Sequence, residues 1–213
     1  MTETNEKLIY HITPIDNLPS IIAEGGLWSD YQVLQRNQSH TVIGYDTIKR
    51  RRLEQLRVSC HPTTFVGQYV PFYFCPRSPM LFVISSRNAD LTYQHGQDRI
   101  VHLVSKIGVG IRTAGDRSWA FSDGNAGARY ARFCNNLEQI DDYVDWNSVG
   151  AHYWSDPTTK ERKQAEFLVY DSFAWNSIIG IGAIQQEVAD EVQTMIANVD
   201  HKPEIVVKPG WYY

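Results

Sequence analysis

The irregular order of strand-like and helix-like segments is the feature that most limits how this chain can fold. Alternating or β-rich apolar runs indicate strands, whereas apolar residues spaced three and four apart indicate a helix. Strands are predicted at residues 8–12, 69–75, 80–85, 100–105, 165–170, 178–184 and 204–207, and helices at residues 14–24, 45–56, 124–133 and 185–197. A parallel sheet would require regular strand–helix–strand alternation, which this order lacks. The chain is therefore expected to be an α+β protein.

Composition limits the class of protein further. The 213 residues, 43% hydrophobic and including six tryptophans, indicate one folded domain. The polar start does not resemble a signal sequence, and no apolar run approaches the ~18 residues of a membrane span. Cys60, Cys75 and Cys134 are odd in number and widely spaced, so we expect buried, reduced thiols in the cytoplasm and no zinc site. The net charge of −4 argues against broad coating of duplex DNA but permits a local basic groove.

The first predicted strand leads directly into a predicted helix. His11 precedes Thr13 and Pro14, which would serve as the helix N-cap and first helical residue, and Gly25 and Gly26 would end the helix. The free N–H groups of a helix N-terminus favour anions such as a pyrophosphate. A histidine in such a strand is more often a hydrogen-bonded core residue than a ligand contact, so His11 remains ambiguous from this pattern alone.

An arginine cluster in the second predicted helix contains one residue that differs from its neighbours. Arg52 lies four residues from both Ile48 and Leu56 and therefore points with the apolar stripe, whereas Arg50 and Arg51 point to solvent. An inward arginine requires an anionic partner. That partner could be a carboxylate in a structural ion pair or a phosphate of a ligand.

The late part of the chain joins a long polar connection to a short strand. Residues 134–164 are polar with scattered aromatic residues, and connections of this length are often functional; residues 29–44 are predicted to be another loop. Glu166 begins the strand and shares a face with Leu168 and Tyr170. Such a glutamate lies either in solvent at the end of a sheet or in a reactive cleft, and exposure is the commoner case. The chain contains no P-loop, nucleophile elbow or zinc-protease helix motif.

Four sequence blocks, in this order, resemble the DarT-type DNA ADP-ribosyltransferase toxins. They are residues 10–18 (YHITPIDNL), 69–80 (YVPFYFCPRSPM), 121–126 (FSDGNA) and 162–169 (RKQAEFLV). The resemblance implies an ADP-ribosyltransferase fold, with two small sheets around an NAD cleft and peripheral helices. It implies a single domain over residues 1–213, with an NAD-binding element at about 36–54 and a substrate-recognition loop at about 122–166.

The resemblance also implies an activity and its partners. The enzyme would transfer ADP-ribose from NAD to a base of single-stranded DNA, usually thymine, and would thereby block replication. NAD would be a co-substrate, no metal would be required, and a macrodomain antitoxin would remove the mark. The protein would be a cytoplasmic monomer without membrane contact.

Site residues follow from the resemblance by position. Glu166 would be the catalytic glutamate and Arg52 the essential arginine, which would also contact NAD. The remaining NAD contacts would be Tyr10, His11, Ile12, Thr13, Asn17, Ser20 and Trp28. Aromatic and basic side chains are the usual contacts of a single strand, which indicates Tyr153, Trp154, Arg162 and Lys163 as DNA contacts. Whether Glu166 or Arg52 assists removal of the thymine proton stays open at this point.

Three other functions compete with DNA modification. An ADP-ribosyltransferase acting on RNA or protein would share Glu166 and the NAD cleft, and a non-catalytic NAD- or nucleic-acid-binding module would share the cleft alone. A nuclease would require clustered carboxylates for a metal, and Asp141, Asp142 and Asp145 lie in a polar segment that is expected to be solvated.

Overall fold

The computed structural model describes residues 2–36, 40–115 and 117–213. Residues 37–39, which belong to the predicted NAD-binding element, lie outside the described residues. The helices are α1 (Thr2–Glu6), α2 (Leu18–Ala23), α3 (Asp30–Gln35), α4 (Asp46–Glu54), α5 (Pro79–Ser85), α6 (Ile107–Ala114), α7 (Ile140–Tyr143), α8 (Trp146–Gly150), α9 (Pro157–Arg162) and α10 (Gln186–Met195). None of these described helices has the length and apolar character needed to cross a membrane.

The strands are short, as the sequence predicts. They are β1 (Leu8–Pro14), β2 (Gly26–Trp28), β3 (Arg57–Val58), β4 (His61–Phe65), β5 (Tyr69–Tyr73), β6 (Ile100–Lys106), β7 (Trp119–Ser122), β8 (Phe133–Cys134), β9 (Glu166–Tyr170), β10 (Ser172–Ala174), β11 (Gly180–Ala183) and β12 (Glu204–Val207). Single 3-10 turns lie at Ile15–Asn17, Val66–Gln68, Leu137–Gln139, Trp175–Ser177 and Pro209–Trp211. The α+β class is thus confirmed, with strands and helices in irregular order.

The main sheet consists of two four-stranded halves that meet at a narrow junction. Its order is β12-β11-β6-β1-β5-β9-β7-β8, and β2–β10 and β3–β4 form separate small pairs. β1 pairs with β6 along its whole length, but with β5 only where Tyr10 lies opposite Tyr73. The resemblance implies two small sheets, whereas the structure has one large sheet whose two halves are joined only at this junction. Because β1 and β5 separate beyond their single contact, a cleft opens between the halves.

The core lies against the sheet and is dominated by aromatic rings. Phe72, Phe121, Phe167 and Phe173 have no solvent exposure. Helix α6 packs tightly on this layer, since a Cβ atom on Gly110 would lie 2.6 Å from the Phe167 ring. Burial of such rings removes ~150–250 Å² each from water and supplies much of the hydrophobic stabilisation. The β9 strand, which carries Glu166 at its start, is thus held by this buried aromatic layer through Phe167.

Most predicted elements are confirmed within a few residues. They are the strands at 8–12, 69–75, 100–105, 165–170, 178–184 and 204–207, and the helices at 45–56 and 185–197. The strand predicted at 80–85 is wrong, because this segment is helix α5. Ser78 caps it by accepting a hydrogen bond from the Leu81 amide (3.2 Å), and Pro79 occupies the first helical turn. A short apolar run does not distinguish helix from strand by period, but the Ser–Pro start does.

The predicted helix start at Thr13 and Pro14 is also wrong. β1 continues through both residues to the end of its pairing with β6, and Pro14 lies opposite Ile100. The Ile15 amide donates to the Arg99 carbonyl (2.8 Å), so it is not a free helical N–H group. The α-helix starts only at Leu18, after a 3-10 turn. An anion site built from helix amides directly after His11 is therefore not what this structure provides.

Two further predictions fail for local reasons. The loop predicted at 29–44 contains α3, which Ser29 caps by accepting from the Gln32 amide (3.3 Å). The helix predicted at 124–133 does not form. Instead, the Asp123 carboxylate accepts from the amide and the guanidinium of Arg132 (3.0 and 2.6 Å) and ties the segment into a closed loop. Side-chain hydrogen bonds to nearby backbone compete with helix formation, which explains the difference.

Cys60, Cys75 and Cys134 are free thiols; Cys75 and Cys134 are buried as predicted, whereas Cys60 is only partly buried. Burial raises the pKa of Cys60 to about 11, so this thiol is protonated at neutral pH. Thiols held in the protonated form are poor nucleophiles.

His102 makes stability sensitive to acid. It is fully buried in β6, its Nε2 donates to the Pro76 carbonyl (2.9 Å), and burial lowers its pKa to about 4. The unfolded chain binds a proton near pH ~6.5 and the folded chain does not, so stability falls as the pH falls between these values. We expect urea unfolding to show a loss of about 2 kcal/mol between about pH 7 and about pH 5.

A His102→Gln variant provides the matched test of that pH dependence. The glutamine amide can still donate toward the Pro76 carbonyl but does not titrate. We expect the variant to be less stable than the parent at neutral pH and to have a flatter pH dependence. Burial also lowers the pKa of His11, so a loss in the same direction should persist. An unchanged pH slope in the variant would contradict this assignment.

Candidate active site

A cleft opens beside the β1–β5 junction and has two connected lobes. The larger lobe has a volume of about 570 Å³ and the smaller about 160 Å³. Both are lined by His11, Thr13 and Asn17, so they form one continuous groove. Ligand sites typically have volumes of ~300–1,000 Å³, which is the range of the larger lobe. The groove can therefore accept an elongated ligand of nucleotide size.

Glu166 and Arg52 meet in the wall of the larger lobe. The two guanidinium nitrogens of Arg52 donate to the two carboxylate oxygens of Glu166 at 3.1 and 2.9 Å. The Glu166 side chain is only 3% exposed and that of Arg52 14%. Burial opposes the charge on Arg52, but the attraction of Glu166 outweighs it and raises the Arg52 pKa. This geometry agrees with the inward Arg52 that helical spacing predicts. For Glu166 it agrees with the less common of the two alternatives that the strand position allows, a glutamate in a cleft.

The Glu166 carboxylate is held from a second side by the loop after β7. The Ala126 amide donates to Glu166 Oε1 (2.9 Å), and the Glu166 amide donates to Ser122 Oγ (3.0 Å). Ser122 in turn donates to the Gly124 carbonyl (2.6 Å), which fixes the turn. Ionised acceptors that receive several donors are strongly oriented. Helix periodicity misses Ser122 and Ala126, although both belong to the block at residues 121–126.

Tyr73, Asn125 and Gln164 are further polar residues of the cleft that were not singled out from the sequence. Tyr73 lies opposite Glu166 across β5 and β9, and burial together with the Glu166 charge raises the pKa of its hydroxyl. It therefore remains a hydrogen-bond donor at neutral pH. Asn125 Nδ2 donates to Gln164 Oε1 (2.9 Å) and links the loop to the segment before β9. These residues come together through contacts between segments that are far apart in the sequence, and a local sequence pattern does not reveal such contacts.

His11 faces the groove as a neutral imidazole. Its Nδ1 donates to the Pro71 carbonyl (2.8 Å), and burial lowers its pKa although this hydrogen bond opposes the shift. With the proton on Nδ1, Nε2 is the acceptor of the ring. The bond also bridges β1 and β5 one residue beyond their paired position. His11 is thus both a structural link and a lining residue of both lobes.

Most residues predicted to bind NAD line the groove. Ile12 lies in the larger lobe, Ser20 and Trp28 in the smaller, and Thr13 and Asn17 in both. Tyr10 is the exception, because its ring packs edge-on against Trp211 (5.3 Å) and His102 (6.3 Å) in the core. Tyr10 is not among the described residues that line the groove, so its side chain does not fit the predicted role of an NAD contact.

Asn17 holds the chain at Thr41 against the groove. Its amide nitrogen donates to Thr13 Oγ1 (3.1 Å) and to the Thr41 carbonyl (3.0 Å), and its oxygen accepts from the Thr41 amide (2.8 Å). A buried amide with these bonds uses most of its hydrogen-bonding capacity within the protein. Asn17 therefore shapes the groove in addition to lining it.

The four predicted DNA contacts occupy different environments. Tyr153 is 93% exposed, and Trp154 lines the larger lobe with its ring edge-on to Phe82 (5.1 Å). Arg162 donates to the Asp123 carboxylate at 3.1 Å and is half-buried. Lys163 is 2% exposed, and its ammonium donates to the Val149 carbonyl (2.6 Å). Lys163 therefore does not reach a surface where DNA could contact it, because its charge is used to anchor α8.

A pair of lysine variants should separate anchoring from DNA contact. Lys163→Ala removes a buried donor and leaves the Val149 carbonyl unpaired, so we expect it to lower the free energy of unfolding by ~1–3 kcal/mol with little change in KM for DNA. Lys160 is exposed and lines the larger lobe, so Lys160→Ala should raise KM for DNA at unchanged stability. Urea unfolding and steady-state kinetics check both. The opposite assignment of effects would restore Lys163 as a DNA contact.

The acidic segment has structural partners. Asp141 accepts from the Trp146 indole (2.6 Å), and Asp145 caps α8 by accepting from the Asn147 and Ser148 amides (3.0 and 3.2 Å). Over residues 2–36, 40–115 and 117–213, no group of three or more histidine, cysteine, aspartate or glutamate side chains could hold a metal ion. These carboxylates therefore offer no support for the nuclease alternative.

Comparison with known proteins identifies the family to which the sequence is similar. Residues 10–213 match the family described as "ssDNA thymidine ADP-ribosyltransferase, DarT". A DNA ADP-ribosyl transferase of Thermus sp. (strain 2.9) is 39% identical over 208 residues, which cover 96% of this chain and 95% of that protein.

Solved structures of a Thermus sp. 2.9 DarT have the same fold. The complex of that protein with ADP-ribosylated single-stranded DNA superposes with a TM-score of 0.86 at 37% identity and covers 97% of this chain and 96% of that one. Its complex with NAD⁺ gives 0.81 at 36% identity and covers 97% and 98%. The chain therefore belongs to the DarT family of single-stranded DNA thymidine ADP-ribosyltransferases.

Proposed function

We propose that this protein is a toxin enzyme that transfers ADP-ribose from NAD to a thymine base of single-stranded DNA and thereby blocks replication. The observation that carries the proposal is the buried pair of Arg52 and Glu166 in the wall of a nucleotide-sized groove. Both residues belong to a chain that matches the DarT family over residues 10–213. A buried ion pair contributes little net stability because both charges lose their hydration. Charged groups that are buried in a cleft are therefore often functional residues.

NAD, the co-substrate, is proposed to lie along the two connected lobes. Main-chain and side-chain groups of His11, Ile12 and Thr13 would hold it at β1, with Asn17 on the adjoining turn. The smaller lobe, with Ser20 and Trp28, would take the end remote from Glu166. The segment at about 36–54 is proposed as the NAD-binding element, because α4 carries Arg52 to the groove.

Glu166 is proposed to stabilise the charge that develops when the nicotinamide–ribose bond breaks. The ribose carbon becomes positively charged in this transition state, and a nearby carboxylate in a water-poor site lowers its energy. The Ala126 amide, donating at 2.9 Å, keeps one Glu166 oxygen oriented. The other face of the carboxylate can then bind a ribose hydroxyl.

Arg52 is proposed to clamp phosphate and orient the base while remaining charged. The raised pKa of Arg52 excludes it as a proton acceptor at neutral pH. Thymine within DNA keeps one ring N–H, at N3, and becomes a good nucleophile as this proton leaves. Glu166 is the adjoining group that can accept it. Formation of the base–ribose bond then accompanies release of neutral nicotinamide.

The DNA strand is proposed to reach the groove from the side of the 122–166 segment. Trp154 lines the larger lobe and Tyr153 extends into solvent, as expected for residues on which bases stack. A macrodomain antitoxin that removes the ADP-ribose is the proposed partner, and a cytoplasmic monomer the proposed form. Residues 1–213 are proposed to act as one ADP-ribosyltransferase domain.

The test uses NAD labelled in its adenine ring. The purified protein is incubated with it and with separate pools of single-stranded DNA, RNA and protein. We expect label on the DNA alone, and expect it without added metal. Label on RNA or protein but none on DNA would contradict the proposed substrate. Protein that binds NAD but transfers no label to any pool would be a non-catalytic module.

A further inference from the structure

An aromatic ledge joins Trp154 to two residues that have no role assigned so far. The ledge consists of Phe82, Trp154 and Tyr213, whose rings contact one another edge-on at centroid distances of 5.1 Å (Phe82–Trp154), 5.1 Å (Phe82–Tyr213) and 6.3 Å (Trp154–Tyr213). Phe82 is 44% exposed although it is a large apolar residue. Three mutually packed rings at a surface are a small apolar platform rather than a scattered exposed residue.

The ledge is continuous with the proposed active site. Phe82 and Trp154 line the same lobe as Arg52 and Glu166. Tyr213, which contacts both rings, is fixed in place because its hydroxyl donates to the Arg77 carbonyl (2.9 Å) and its amide donates to Gln97 Oε1 (3.0 Å). The platform is therefore held in place before any ligand binds.

A positive charge lies beside the ledge. The Arg77 guanidinium lies 4.4 Å from the centroid of the Tyr213 ring, and its Nη1 lies 3.2 Å from His152 Nδ1. Among the described residues Arg77 forms no salt bridge, and its buried Nε has no hydrogen-bond partner. A guanidinium that has no carboxylate partner and lies next to an aromatic surface complements a phosphate next to a base.

We infer that the ledge stacks a base adjacent to the modified thymine and that Arg77 contacts the phosphate of that nucleotide. The inference rests on the proposed function and names the part of the protein that holds the strand outside the reactive pocket. Stacking on aromatic rings is tolerant of sequence, because every base has a π face. The ledge would thus position the target thymine without dictating which base flanks it.

Two variants test the ledge without touching the proposed catalytic residues. Phe82→Ala and Tyr213→Ala should each raise KM for a single-stranded oligonucleotide on the order of 10-fold, in line with the stacking of one base. The kcat at saturating DNA should stay near the parent value in both variants, and the Kd for NAD should stay near the parent value in Tyr213→Ala, because Tyr213 is not among the residues that line the lobe. Tyr31→Ala is the matched control, since Tyr31 is 39% exposed, close to the 44% of Phe82, and neither lines the cleft nor belongs to the 122–166 segment.

Oligonucleotides with an abasic site on either side of the thymine identify the stacked base. One abasic position should raise KM for the parent protein but add little to the effect of Phe82→Ala, because both changes remove the same contact. Unchanged KM in both ledge variants, or additive effects at every position, would overturn the inference while leaving DNA modification intact. Absence of any DNA modification by the parent would instead refute the proposed function, which is a distinguishable result.

Discussion

Glu166→Gln is expected to lower the rate of single-stranded DNA modification by ~10²–10³-fold, in addition to the loss of stability that follows when buried Arg52 loses its charged partner. Glutamine keeps an oxygen that can accept from the Ala126 amide, so the side chain should remain in place. It lacks the negative charge that balances the developing positive charge on the ribose, and it cannot accept the thymine proton. The loss should therefore appear in kcat rather than in the Kd for NAD.

The control for this variant is Glu161→Gln, which removes an equal charge from an exposed position close to the same segment. Modification rates, circular dichroism and NAD binding are measured for both variants. A near-normal rate for folded Glu166→Gln would show that the catalytic assignment is wrong. A comparable loss in Glu161→Gln would attribute the effect to general electrostatics.

Arg52→Met is expected to impair both stability and activity. It leaves the Glu166 carboxylate, 3% exposed, without its bidentate partner. Removing one partner of a buried ion pair typically costs ~3–5 kcal/mol, because the remaining charge is uncompensated. Loss of an electrostatic clamp on the phosphates should in addition lower the rate by ~10²-fold or more.

A double variant separates these two effects. Arg52→Met combined with Glu166→Gln removes the buried charge, so urea unfolding should show stability recovered toward the parent while activity stays absent. Arg50→Met, at an exposed position on the same helix, should change neither property. Additive losses of stability in the double variant would mean that the pair is not a coupled ion pair in solution.

The inward orientation of Arg52 could be predicted from the sequence because it depends only on the spacing of neighbouring residues in one helix. Helical periodicity requires only a few neighbouring residues, and α4 does turn Arg52 toward the groove and Arg50 toward solvent. The partner could not be read from the same pattern. Glu166 follows Arg52 by 114 positions in the sequence, so the ion pair depends on the pairing of β5 with β9. The usual exposure of glutamates argued against a buried Glu166, and only the resemblance to the family indicated a catalytic glutamate in the cleft.

Other features were missed where a competing local interaction decided the conformation. The loop after β7 has helix-compatible residues, but Asp123 fastens its ends by bonding Arg132. Lys163 belongs to a polar segment, yet its ammonium is buried against the Val149 carbonyl. Tyr10 was included with its neighbours in β1, although the alternation of a strand turns its ring into the core. Each case depends on a contact that composition and spacing do not contain.

Mass spectrometry of a defined oligonucleotide tests the central claim most directly. The protein is incubated with NAD and a single-stranded oligonucleotide that contains one thymine, and a matched oligonucleotide carries N3-methylthymine, which has no ring N–H. We predict that the thymine gains one ADP-ribose with release of one nicotinamide, and that the methylated oligonucleotide gains none. Release of nicotinamide with no mass gain on the thymine oligonucleotide, or equal modification of the methylated one, would contradict the account.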